Sequence, residues 1–150
     1  MLEKIYTIPV NEAFDASAES PENGCPFCEL YKKLENDEID IILGASMMEP
    51  DIRIKTNEEG FCGRHFDLMF GKNNRLGLAL ILESHLAETR DKCETGGLFG
   101  AKTNAIPDNL GKLEKTCYVC GRINHSFGKM LENAVYLYET EPEFREKLKK

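Results

Sequence analysis

Two pairs of ligand-type residues constrain this chain more than any other feature: Cys25-Pro26-Phe27-Cys28 and Cys62-Gly63-Arg64-His65. Two residues between ligands let both side chains of a pair converge on one ion from a single turn, and two such pairs supply the four donors of a tetrahedral Cys3His site. If each pair opens a helix, the unpaired N–H groups and the dipole at that end stabilise the thiolates. The intervening residues 29–61 suit a helix-turn-helix that returns its end beside its start. A zinc ion on Cys25, Cys28, Cys62 and His65 would then close the hairpin, and its binding free energy would be folding free energy.

The periodicity agrees with a helical frame. From Pro26, the residues Phe27, Leu30, Tyr31, Leu34, Ile39, Ile42 and Leu43 recur every three to four positions, with Glu29, Lys32, Lys33, Glu35 and Asp37 on the other face. Gly44 suits a C-terminal cap, Pro50 a first helical turn, and Gly60 a stop. Cys62 to Phe70 reads as a further helix. Arg75 to Cys93 reads as a long one, apolar around most of its first half and therefore expected to be buried. In the N-terminal arm only a short helix capped by Asn11 is expected, the rest being loop. Residues 94–115, with Gly96, Gly97, Gly100, Pro107 and Gly111, show no clear helix or strand. Tyr118 to Tyr138 is again helical, and no run alternates with period two. The expected class is all-α, a small helical bundle stapled by zinc.

Sliding the chain over itself by 92 positions reveals an internal repeat. Cys25 falls on Cys117 and Cys28 on Cys120. Without a gap, Glu49-Pro50-Asp51-Ile52-Arg53 falls on Glu141-Pro142-Glu143-Phe144-Arg145, and apolar positions correspond, as with Ile39 and Leu131 or Leu43 and Val135. The implied organisation is a complete zinc-binding unit over residues 1–93, a linker over 94–115, and the first half of a second unit over 116–150. That second unit would lack its own Cys-x-x-His, so the sequence reads as a fragment of a two-unit protein. Cys117 and Cys120 are then a second half-site, empty, disulfide-bonded or sharing a metal with another copy. Cys93, His85 and His125 read as ordinary helix residues.

Charge and composition narrow the function. Nineteen basic residues against 26 acidic ones give a net charge of −7, the wrong sign for nucleic acid or an anionic membrane surface. The N-terminus lacks the basic start and apolar run of a signal peptide, and no segment approaches the roughly 20 apolar residues of a membrane span. A reducing cytoplasm is the expected location, where CxxC pairs are metal ligands or redox thiols before they are disulfides. Cys25-Pro26-Phe27-Cys28 matches the active-site tetrapeptide of glutaredoxins, but the strand that precedes it there and the βαβ pattern around it are missing here. Four protein ligands leave no open position for a catalytic water, and no nucleophile elbow, phosphate loop or HExxH is present. The expected function is a zinc-stabilised scaffold or interaction module with protein partners or self-association, and not an enzyme. The alternative is a thiol-based redox or metal-responsive switch using the CxxC motifs.

The strings Tyr6-Thr7-Ile8-Pro9-Val10-Asn11-Glu12-Ala13-Phe14, Cys25 to Cys28, Gly60-Phe61-Cys62-Gly63-Arg64-His65 and Asn74-Arg75-Leu76-Gly77-Leu78-Ala79 together resemble an uncharacterised bacterial family. Its members look like two-unit helical proteins with paired CxxC and CxxH motifs. The resemblance implies the architecture and transfers no activity.

Overall fold

The computed structural model describes residues 4–94 and 105–149, and all the regular structure among them is helical. The α-helices are α1 (Thr7–Glu19), α2 (Pro26–Leu43), α3 (Pro50–Glu59), α4 (Gly63–Gly71), α5 (Arg75–Glu94), α6 (Ala105–Leu113), α7 (Tyr118–Thr140) and α8 (Pro142–Lys147). Short 3-10 turns cover Lys4–Tyr6, Pro21–Asn23 and Ala45–Met48. The all-α expectation holds, with local corrections. The N-terminal arm is a full helix, and Asn11 lies inside it, its side-chain amide donating to the Thr7 carbonyl at 3.2 Å. Pro9 does not interrupt α1 because it sits in the first turn, where its missing N–H has no intrahelical acceptor anyway. Part of the expected linker is helix too, since α6 occupies residues 105–113; residues 95–104 of that linker lie outside the described residues.

The chain divides into two compact units, Met1–Asp37 with Arg122–Lys150, and Glu38–Gly121. The boundaries expected near 93 and 115 fall elsewhere, because α2 and α7 each contribute one part to either unit.

The unit made from the two ends of the chain is built on Val10 and Phe14 of α1, Leu30 of α2, Met130, Ala134 and Leu137 of α7, and Phe144 of α8, all buried. The rings pack with specific geometry: Phe14 stands edge-on to Phe27 at 5.1 Å and tilts over Phe144 at 4.7 Å, while Tyr31 stands edge-on to Phe127 at 5.4 Å. Lys147 ties α8 to α1 through Asp15 at 2.6 Å and the Asn11 side-chain oxygen at 3.1 Å.

In the unit of residues 38–121, Ile39, Ile42 and Leu43 of α2, Met69 of α4, and Leu78 and Ile81 of α5 are buried, with α3, α4 and α6 all packed against α5. Asn74 fixes the start of α5. Its side-chain oxygen accepts the Gly77 N–H at 2.9 Å, and its amide donates to the Leu43 carbonyl. A Cβ on Gly77 would stand 2.6 Å from that carbonyl oxygen, so the absence of a side chain is what lets α5 begin against the end of α2. The expectation that α5 is a buried helix holds on one face only: Leu78 and Ile81 face the core, whereas Leu76 and, further along, Leu86 are exposed.

Candidate metal centre

The turn between α3 and α4 sets up the site. Gly60 ends α3 with φ of +62° and ψ of −157°, backbone that only glycine adopts without strain. Its carbonyl accepts the Tyr118 N–H at 3.0 Å, and the Thr116 hydroxyl donates to the Glu59 carbonyl at 2.7 Å. These two bonds bring the segment entering α7 alongside the segment entering α4. Each segment carries a ligand-type pair in the same register. Cys62 immediately precedes α4 and His65 is its third residue; Cys117 immediately precedes α7 and Cys120 is its third.

As a result Cys62, His65, Cys117 and Cys120 converge, their ligand atoms all within 4.8 Å of one another. The Nδ1 of His65 lies 3.2 Å from the Cys62 sulfur, 3.3 Å from that of Cys117 and 3.4 Å from that of Cys120, and the sulfurs of Cys62 and Cys120 are 3.9 Å apart. A tetrahedral ion with metal–sulfur bonds of about 2.3 Å and metal–nitrogen bonds of about 2.05 Å gives sulfur–sulfur edges of about 3.8 Å and sulfur–nitrogen edges of about 3.6 Å. These four distances lie within about 0.4 Å of such edges, and the group could hold a metal ion. His65 and Cys117 are buried, while Cys62 and Cys120 are partly exposed.

The electrostatics of the thiols are uneven. Burial alone would raise Cys62, but the His65 N–H, the thiols of Cys117 and Cys120 and the Arg64 N–H together hold it below the ordinary cysteine value. Cys120 is pushed up to about 12 by burial and by the neighbouring sulfurs of Cys117 and Cys62. A metal ion bound to these residues would displace the thiol protons.

Of the four ligands expected from sequence, Cys62 and His65 take part in this group and Cys25 and Cys28 do not. Cys25 and Cys28 open α2 in the other unit, where both are exposed. Their place is taken by Cys117 and Cys120, expected only as a half-site. Local spacing could not separate the alternatives, because both CxxC pairs open helices in the same register. What separates them is the tertiary pairing of Glu59 and Gly60 with Thr116 and Tyr118. Cys93 lies on α5 outside the cluster. His85 hydrogen-bonds through Nδ1 to the Asn57 carbonyl at 3.0 Å and packs against the Gly60 turn. His125 is exposed on α7. Among the described residues no helix is long and apolar enough to cross a membrane.

The profile of a family of unknown function, DUF6062, matches residues 1–150, and the chain belongs to that family. No curated protein and no solved structure matches the chain.

Proposed function

We propose that this DUF6062 protein is a zinc-stabilised helical interaction module in which Cys62, His65, Cys117 and Cys120 hold one structural zinc ion. The observation that carries the reading is the three distances from His65 Nδ1 to the sulfurs and the Cys62–Cys120 sulfur distance, each close to an edge of a zinc tetrahedron. Three soft thiolates and an imidazole in a tetrahedral arrangement favour zinc over hard, octahedral cations. With all four corners occupied by protein, the ion has no open position for water, so its role is to fasten the starts of α4 and α7 together rather than to catalyse. Protein partners and a cytoplasmic location, where thiols stay reduced, belong to the same proposal.

Elemental mass spectrometry of the purified chain tests it. One zinc per chain is expected, lost in Cys62→Ser and in Cys117→Ser together with a fall in melting temperature of roughly 10 °C or more. The Cys25→Ser chain keeps that zinc. Full zinc in Cys117→Ser, or its loss in Cys25→Ser, would show the ligand assignment to be wrong.

A switch is the second reading, favoured by the partial exposure of Cys62 and Cys120, whose sulfurs lie 3.9 Å apart. Hydrogen peroxide would take two electrons from these thiolates, joining them as a disulfide, forming two waters with two protons, and releasing the ion. Zinc release measured with a chromogenic chelator during peroxide titration checks this. Release only after the chain has melted would dismiss it.

A further inference from the structure

Three helices of this chain are opened by ligand-type pairs in one register. In each, the first cysteine immediately precedes the helix and its carbonyl accepts the first helical hydrogen bond: Cys25 from the Glu29 N–H at 3.1 Å, Cys62 from Phe66 at 2.9 Å and Cys117 from Gly121 at 3.0 Å. The second member of the pair comes three positions later. Two of the pairs complete one another; the pair on α2 is exposed and has no complement among the described ligand groups.

A second deficiency accompanies the first. Under the 92-position repeat, Ile39 and Leu43 of α2 correspond to Leu131 and Val135 of α7. Ile39 and Leu43 are 0% and 2% exposed, in the unit that α4 and α5 complete. Leu131 and Val135 are 39% and 57% exposed. With Phe27, Tyr138, Phe144 and Leu148 they line an open apolar groove in the unit that carries Cys25 and Cys28. Phe27 is one of the two residues between the cysteines, so groove and ligand pair are contiguous in sequence. A Cys-x-x-His pair and a helix with an apolar face at Leu78 and Ile81 are what α4 and α5 bring to the other unit, and neither is found among the described residues of this one.

We infer that Cys25 and Cys28 are one half of a second metal centre, completed by a partner helical hairpin of the α4–α5 kind. The partner's first helix, opened by Cys-x-x-His, supplies the other two ligands, and its second, apolar helix lies in the groove beside Phe27 and Val135. On zinc binding the three thiols release their protons to solvent and the imidazole binds in its neutral form. The inference rests on the proposed zinc chemistry of the first centre and gives the interaction module a partner of defined build.

The test uses the full chain co-expressed with a carrier fused to residues 60–94 of the same sequence, the available hairpin of this build. The expected result is a complex that survives purification and holds two zinc ions instead of one. Cys25→Ser with Cys28→Ser should abolish the second zinc and the complex while the first zinc remains. Val135→Asp should weaken retention of the hairpin at least tenfold, again with the first zinc in place. Cobalt substitution provides an independent reading: the thiolate-to-cobalt charge-transfer band should rise by about as much as the first centre contributes. A chain that holds its first zinc but takes up neither hairpin nor second ion overturns the inference, as does retention unaffected by the cysteine substitutions. If the first zinc is absent while a hairpin-dependent ion binds at Cys25 and Cys28, the proposal for the first centre fails and this one stands.

Discussion

Gly60 shows how much of the centre depends on one backbone conformation. A Cβ there would lie 3.0 Å from the His85 ring, on top of the cost of holding φ at +62°. Gly60→Ala should therefore destabilise the protein by about 2 kcal/mol and weaken zinc binding in parallel, since the same turn aligns the starts of α4 and α7. Urea denaturation and competition with a chelator measure the two effects. Asn74 is the second sensitive position. Removing its cap from α5 and its bond to the Leu43 carbonyl should cost about 1–2 kcal/mol in Asn74→Ala, leaving zinc content unchanged. Cys93→Ser should be nearly silent in metal content and melting temperature, because Cys93 stands outside the cluster; a large loss of metal in that variant would overturn the four-ligand set.

At the scale of elements, what was legible in the sequence was whatever has a local cause. Pro50 at the first turn of α3, Gly60 at its end and the ligand register at the starts of α2, α4 and α7 could all be read, because capping chemistry acts within a few residues. Helix α1 was hidden by Pro9, which marks a break in most contexts but is harmless in a first turn. Helix α6 was hidden by Pro107 and Gly111. The candidate Cys3His group was half legible: Cys62 and His65 belong to it, but the partner of α4 is a tertiary property carried by the bonds of Glu59 and Gly60 to Thr116 and Tyr118. Proximity along the chain favoured Cys25 and Cys28, while His65 and Cys117, 52 positions apart, are the residues in contact. The exposed stripe of α7 also belongs to this scale. Val135→Asp in the isolated chain should change folding free energy by no more than about 0.5 kcal/mol, since Val135 is open to solvent, and chemical denaturation will show whether that side of α7 is free of core packing.

For the whole molecule, the division into two units predicts that removal of the proposed metal would be a local event. The ligands lie within residues 38–121, whereas the buried aromatic cluster of Phe14 and Phe144 contains none of them. Chelation should therefore strip amide-exchange protection from α4 and the start of α7, while α1 and α8 keep theirs; hydrogen exchange read by mass spectrometry resolves the two. The end-to-end unit has a further consequence for synthesis on the ribosome. Val10 and Phe14 leave the exit tunnel long before α8, which packs in their unit: Lys147 reaches Asn11 across 136 positions. The residues in between include both halves of the candidate metal centre, so that group can assemble while α1 still waits for α8. During that wait Val10 and Phe14 stay uncovered on the nascent chain, and they are the stretch a holding chaperone would be expected to grip first.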